Sequence, residues 1–377
     1  MTAAARDPAN QPDREPDLDV VIIGGGQAGL AVAWHLARHG LRFVVLEASD
    51  EPARSWRTRW DSLRLFTPAR YDALPGMAFP APPDTYPGKE AVADFLRQYV
   101  AAFDLPVRLG SRVTALDRID DEFRAHAGGH VFRARQVVVA TGPFQNPYIP
   151  AVAEGFDATV TQIHSAGYRN PQSLPAGPVL VVGAGNSGLQ IAEELVGSRQ
   201  VDVSVGEKAP MLPQRLLGRD LFWWLTRLGF MRLNTATRLG RRLQTRGEFV
   251  IGTSRRRLRR AGVRFRPRLV GAEGHTARFA DGSGPDVEVV IWATGYRPDY
   301  SWISIPGATA EGRIVHRRGV TGVPGLYCIG LSWQYTRGSA LLGFVADDAA
   351  YLADQIVSRA LDARPAHAET TSPPSVS

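Results

Sequence analysis

DVVIIGGGQAGLAVAWHLARHGLRFVVLEAS, residues 19–49, decides the fold. A continuous apolar strand from Val20 to Ile23 enters a glycine turn, Leu30, Val32, Ala33 and Leu36 then recur at helical spacing, and Phe43 to Leu46 make a second apolar strand. Each glycine has its own mechanical task. Gly24 permits the tight turn, Gly26 lets backbone approach a pyrophosphate at the helix N-terminus, and Gly29 lets helix and strand pack closely. Glu47 ends the second strand, where a carboxylate accepts both hydroxyls of an unphosphorylated adenosine ribose. Strand, turn, helix, strand and acid in register predict a βαβ dinucleotide unit for FAD or NAD.

At 377 residues the chain suits two domains. The formal charge of +7 resides almost wholly in arginine, Lys89 and Lys208 being the only lysines, a bias that follows from coding composition more readily than from a nucleic-acid partner. Cys328 is the sole cysteine, which excludes an internal disulfide and a Cys-x-x-Cys redox pair and favours a reducing cytoplasmic home. Residues 1–18 are polar and proline-bearing and read as a disordered lead-in, residues 363–377 as a flexible tail.

Further along, residues 89–103 have helical periodicity and residues 107–127 alternate as antiparallel strands. QVVVATG, residues 136–142, is a buried strand expected to rejoin the first sheet beneath the dinucleotide. PVLVVGAGNSGLQIAEELVGSRQVDVSV, residues 178–205, then repeats the opening unit, with Gly183, Gly185 and Gly188 at the spacing of Gly24, Gly26 and Gly29. Ala293-Thr294-Gly295 likewise echoes Ala140-Thr141-Gly142. Two such units imply two facing dinucleotides, a flavin reduced by a nicotinamide. The expected fold is α/β with two Rossmann-like domains: an FAD-binding domain (19–145 and 296–362) into which an NAD(P)H-binding domain (146–295) is inserted, hinged near Gly142 and Gly295.

Residues 216–233, LLGRDLFWWLTRLGFMRL, are apolar but too short and too interrupted for a membrane span; a helix packed on the other domain is favoured over one lying on a membrane surface. RRRLRR, residues 255–260, reads as a solvated helix face, and residues 340–360 as a closing helix. The eight histidines are scattered, without metal-ligand spacing.

GGGQAG (24–29), GAGNSG (183–188), WDSLRLFTP (60–68), ATGYRPDY (293–300) and TRGSALLGF (336–344) together resemble the flavin-containing monooxygenases, class B flavoprotein monooxygenases, especially small bacterial members and the plant indole-pyruvate monooxygenases. Of the family pattern Phe-x-Gly-x-x-x-His-x-x-x-Tyr/Phe, His164 and Tyr168 are present, while Ala158 and Val160 replace Phe and Gly. The resemblance implies NADPH-dependent reduction of FAD, a C4a-hydroperoxyflavin shielded by retained NADP⁺, and oxygenation of a small organic substrate by N- or S-oxidation or Baeyer–Villiger insertion. It further implies FAD or nicotinamide contacts at Gln27, Ala28, Trp56, Leu65, Thr67, Val113, Ala140, Thr141, Gly142, His164, Asn186, Ser187, Ala293, Thr294, Gly295 and Leu341, and an active site of Phe66, Thr67 and Gln334. Phe66 stands where many relatives have asparagine, leaving Thr67 as the nearest polar group. Lys208 would meet an NADPH 2′-phosphate, whereas neighbouring Glu207 would suit NADH. Substrate and O₂ are the expected partners, with no nucleic acid, no transmembrane segment and a homodimer open. A flavin oxidase or reductase without oxygen insertion, and a non-catalytic nucleotide-binding or nucleic-acid-interacting protein, are the alternatives.

Overall fold

The computed structural model describes residues 18–207, 209–245 and 249–362; the lead-in up to residue 17, the tail beyond 362 and the candidate cation Lys208 lie outside them. The opening unit forms as its pattern predicts: β1 (Leu18–Ile23), α1 (Gln27–Arg38) and β2 (Phe43–Leu46). Leu18 already belongs to the strand, one residue inside the expected lead-in. After α2 (Lys89–Ala102) come β3 (Val107–Arg108) and the ten-residue β4 (His130–Val139). Four further parallel connections align β1 with β2 and β4, β2 with β3, and β4 with the late strand Leu326–Cys328. Both faces of this sheet are covered, so Val20, Val21 and Ile22 are fully buried on alternate sides.

The region 107–127 departs from the expected run of antiparallel strands. Val107–Arg108 continues the parallel sheet, and only Val113–Ile119 and Glu122–Ala127 form the antiparallel ladder, which joins β4. Two residues are too few to show a pattern of their own.

The second sheet is wholly parallel. Its strands are β5 (Thr161–His164), β6 (Val179–Val182), β7 (Val201–Ser204), β8 (Arg264–Arg266) and β9 (Val289–Trp292), in spatial order β8-β7-β6-β9-β5. The helix α3 (Asn186–Leu195) follows β6 as α1 follows β1. All five strands lie in the sequence between β4 and Leu326–Cys328, which are neighbours in the first sheet. Where the chain passes from one sheet to the other, Asn146–Pro147 pairs antiparallel with Tyr296–Arg297, so the outgoing and returning segments are laced together.

Residues 216–233 are not one helix. Arg215–Leu216 and Arg219–Asp220 form a hairpin, Leu221–Arg227 is a short helix, α4, and Phe230–Arg232 a single 3₁₀ turn. Gly218 and Gly229, both at φ +76°, set the two breaks, because a left-handed residue cannot continue a right-handed helix. The inner side of this segment does pack across the molecule: Leu221, Phe222, Met231 and Ile251 are buried, with Phe66, Tyr71 and Phe344 against them. The basic stretch at 255–260 is a helix, Arg255–Ala261, capped by Ser254 and burying only Leu258. The closing helix, α5 (Ala346–Asp362), starts six residues later than its periodicity suggests, since a capped 3₁₀ turn occupies Arg337–Ala340. Among the described residues no helix is long and apolar enough to cross a membrane.

Candidate cofactor and active site

The two glycine turns repeat in three dimensions almost atom for atom. Gly24 (φ +114°) and Gly183 (φ +115°) turn the chain where a Cβ would meet the carbonyl oxygens of Ala140 at 2.5 Å and Ala293 at 2.3 Å. Gly29 and Gly188 pack so closely that a Cβ would lie 2.1 Å from Gly24 O and Gly183 O, respectively. The middle glycines differ in kind: at Gly26 and Gly185 a Cβ would meet nothing within 4 Å. There the backbone borders open space at the first turn of a helix.

Both helix starts suit a phosphate. Neither Gly26 nor Gly185 supplies a side-chain cap, and neither helix has an acid in its first turn, so the leading N–H groups keep their donor capacity. By contrast Asp220, Thr237 and Ser254 cap their short helices through side-chain oxygens. Glu47 is oriented by its own bonds: Oε2 accepts from Gly25 N (2.8 Å), and Oε1 accepts from Ser49 N (2.9 Å) and Oγ (2.6 Å). Its carboxylate remains half-exposed, with an acceptor lone pair on Oε2 for a ribose. The residues present therefore fit a dinucleotide at each turn.

A cavity of about 330 Å³ at the first turn brings together Gly24, Glu47, Val113, Ala140 and Thr141 of the sequence-derived residues. It is also lined by Arg54, Ser111, Arg112, Gln145 and Asp299, which sequence reasoning missed. Gln145 carried a usable signal, lying just past the strand end in the first inter-sheet crossing. Its Nε2 donates to Thr141 Oγ1 (2.9 Å) and Gly142 O (3.0 Å), and its Oε1 accepts from Asp299 N (2.7 Å), joining outgoing and returning chain.

Other candidates fall around this centre. Gln27 Oε1 accepts from Trp56 Nε1 (3.3 Å), and the Trp56 ring packs against cores of both sheets. Ala28 lies under the turn at Gly330, where a Cβ would come within 2.8 Å, so the 331–341 loop reaches the first turn of α1. That loop carries Gln334, buried, with Nε2 unpartnered. Leu65 borders the first core and Leu341 the aromatic cluster. Phe66 stacks on Phe222 with centroids 5.9 Å apart. Thr67 is buried, and its hydroxyl donates to Asp72 Oδ1 (2.6 Å). Asp72 has no exposed surface, its Oδ2 has no partner, and burial lifts its carboxyl to about 7 against one opposing hydrogen bond from Thr67. Nothing in the TPARYD sequence signals that pairing beyond a threonine five residues before an acid.

Around the second turn, Asn186 is occupied structurally: its Nδ2 donates to Phe249 O and its Oδ1 accepts from Ile251 N, both at 3.0 Å. Ser187 follows in the first turn of α3, half-buried. His164 ends β5 with both ring nitrogens used, Nε2 donating to Gly295 O (3.0 Å) and Nδ1 accepting from Ala166 N (3.1 Å). Burial lowers its pKa, which favours the neutral ring that this pairing requires. The Thr294 hydroxyl donates to Tyr148 O. His164 and Thr294 thus lie at the inter-sheet crossing, while Asn186 is tied to the 249–251 segment. At the end of β7, a Cβ on Gly206 would lie 3.6 Å from Nη2 of exposed Arg268, so this arginine stands where the sequence pointed to Lys208.

Two open, uncapped helix starts at the carboxyl ends of parallel strands in two sheets are the arrangement of an oxidoreductase built on paired dinucleotide units. The chain belongs to the family described as pyridine nucleotide-disulphide oxidoreductase, which it matches over residues 21–215. Its relatives include a Geobacillus kaustophilus protein named "Uncharacterized oxidoreductase CzcO-like", 43% identical over 90% of this chain and 99% of that one. The rice indole-3-pyruvate monooxygenase YUCCA4 is 28% identical over 96% of this chain and 92% of its own. Among solved structures, the flavin-containing monooxygenase from Stenotrophomonas maltophilia superposes with a TM-score of 0.77 at 29% identity, covering 92% of this chain and 100% of that one. The resemblance to flavin-containing monooxygenases drawn from the motifs therefore holds. Disulfide chemistry does not extend to this chain by its own thiols, since Cys328 is its only cysteine and is buried, with its pKa raised by desolvation.

Proposed function

We propose that the protein is an NADPH-dependent FAD monooxygenase in which the unit of β1, α1 and β2 holds FAD and the unit of β6, α3 and β7 holds the nicotinamide dinucleotide. The second unit would form a domain inserted into the first and hinged at the Asn146–Pro147/Tyr296–Arg297 ladder. The single observation that carries this is the duplicated turn, with Gly26 and Gly185 both opening onto space at uncapped helix starts. FAD when bound supplies the redox chemistry, taking hydride from the nicotinamide and activating O₂. The chain's own residues do the rest. Glu47 fixes the adenosine ribose, the α1 first turn faces the pyrophosphate, and Arg268 meets the 2′-phosphate that distinguishes NADPH. Phe66, Phe222 and Phe344 keep one side of the reacting region apolar and exclude water. Small thioethers, amines or ketones are the substrate classes such chemistry serves.

The test is a pair of substitutions. Gly26→Val should purify folded and colourless, while Gly185→Val should purify yellow yet be reduced by dithionite and not by NADPH. A yellow Gly26→Val, or a Gly185→Val reduced at the parent rate, would overturn the placement. Arg268→Ala should raise the NADPH KM about ten-fold with NADH unchanged; equal effects on both cofactors would remove Arg268 from that role.

One observation favours a second reading, a flavin oxidase. The Thr67 proton is already committed to Asp72, so Thr67 in this arrangement accepts but does not donate toward a bound oxygen. Oxygen transfer then depends on the retained nicotinamide for that donor; without it, reduced flavin would yield peroxide.

A further inference from the structure

We propose that the outer face of residues 215–242 docks on an anionic lipid bilayer surface. The segment is two-sided. Its inner side carries Leu221, Phe222 and Met231 into the aromatic cluster, and its single acid, Asp220, is buried, accepting from Tyr86 Oη (2.6 Å) and Gln214 Nε2 (3.0 Å). Its outer side exposes large apolar side chains to solvent. Leu217, at the hairpin tip, is 82% exposed, beside Leu216 at 48%. The indole N–H of Trp224 donates to Leu216 O (2.9 Å), which fixes the helix against the hairpin, and Trp223 lies edge-on to Trp224 at 4.7 Å. Leu228, 63% exposed, sits one helical turn beyond Trp224 on the same side, and Phe230 follows at 47%. Leucine tips flanked by half-exposed tryptophans suit the boundary between headgroups and acyl chains.

Charge selects the kind of surface. The segment holds seven arginines, all exposed, against the one buried acid, so its net +6 is nearly the +7 of the whole chain. None of the seven forms an ion pair with a described carboxylate; Arg219 instead lies over the Trp223 ring at 5.4 Å. Each basic residue near an anionic leaflet adds attraction of about 1 kcal/mol before screening. A second copy of this chain would bring seven arginines against seven, which argues against a self-paired interface. An aliphatic tip as exposed as Leu217 gains nothing from a phosphate backbone, which argues against nucleic acid. With α4 only seven residues long, the segment lies on the bilayer and does not cross it.

The experiment is sedimentation of the full-length, flavin-loaded protein with vesicles of pure phosphatidylcholine or of phosphatidylcholine with about 30% phosphatidylglycerol. The protein should pellet with the anionic vesicles, with tryptophan emission shifted to shorter wavelength, and should remain free with the neutral ones. Leu217→Ser combined with Leu228→Ser, both surface changes, should weaken that binding about ten-fold or more at unchanged flavin content. Arg238→Gln with Arg241→Gln and Arg242→Gln should weaken it and flatten its salt dependence. Absence of binding, equal binding to neutral vesicles, or binding untouched by the leucine pair overturns the proposal. So does duplex-DNA binding that the arginine variant loses and the leucine variant keeps, or a vesicle-free dimer that the leucine variant dissociates.

Discussion

Lys89 is one of two lysines among the 44 Lys and Arg of this chain, and its setting explains the exception. Its buried ammonium donates to Arg57 O (3.2 Å), Arg59 O (2.8 Å) and Asp61 Oδ1 (2.8 Å), while Asp61 Oδ2 accepts from Asn170 (2.7 Å) near the second sheet. Three donors diverging from one nitrogen serve three acceptors; a planar guanidinium cannot. Lys89→Arg should therefore lower stability by about 1–3 kcal/mol, read by chemical denaturation, despite retaining the charge. An unchanged midpoint would show that the three acceptors find water as readily. Asp72 makes a second prediction at this scale. Its carboxyl rises from 3.8 to about 7 in the folded chain because burial penalises the anion. The folded state therefore holds a proton that the unfolded state releases, and the penalty is absent below pH 3.8, grows as pH climbs toward about 7, and is constant beyond. Asp72→Asn, which keeps an acceptor for Thr67, should stabilise by an amount that rises between pH 4 and 7, on the order of 3–4 kcal/mol at pH 8. A gain independent of pH would mean that Asp72 is not the titrating group.

At the scale of elements, the parts legible in the sequence are those in which local chemistry and tertiary role coincide. Val20–Ile23 must be apolar because both sheet faces are covered, and the glycine spacing follows from contacts of 2.1–2.5 Å that admit no Cβ. Gly29→Ala and Gly188→Ala should each destabilise the protein severely, by more than the ~1 kcal/mol that alanine normally gains over glycine in a helix, because each Cβ meets backbone rather than a movable side chain. Thermal unfolding of the two variants beside Gly26→Ala, whose Cβ meets no protein atom within 4 Å, separates the packing glycines from the one that opens onto space; equal Tm values would contradict it. The stretch 216–233 hides its structure for the opposite reason. Its apolar residues serve two faces at once, Phe222 inward and Leu217 outward, so their spacing reports no single period. Two left-handed glycines then divide what hydropathy alone joins.

Over the whole molecule, the sequence repeat foretold two Rossmann-like units; the two βαβ turns form, one in a wholly parallel sheet and one in the parallel part of a mixed sheet, and the strands of the second sheet fall in the sequence between neighbouring strands of the first. The candidate site was legible where it is backbone-borne: Gly24, Glu47, Val113, Ala140 and Thr141 meet at one cavity. It was not legible where a side chain finds its neighbour only through the path of a loop. Gln145 with Asp299, Thr67 with Asp72 and Arg268 beside Gly206 depend on how loops close over the sheets, which no periodicity encodes. The central claim, that paired dinucleotide units deliver an oxygen atom to a small substrate, is tested most directly by isotope accounting. The purified yellow protein is given NADPH and ¹⁸O₂ with a panel of thioethers, tertiary amines and ketones, and product ¹⁸O and hydrogen peroxide are both measured against NADPH consumed. Monooxygenation predicts, for at least one class, one ¹⁸O atom in product per NADPH with little peroxide; NADPH returned quantitatively as peroxide across the whole panel would contradict it.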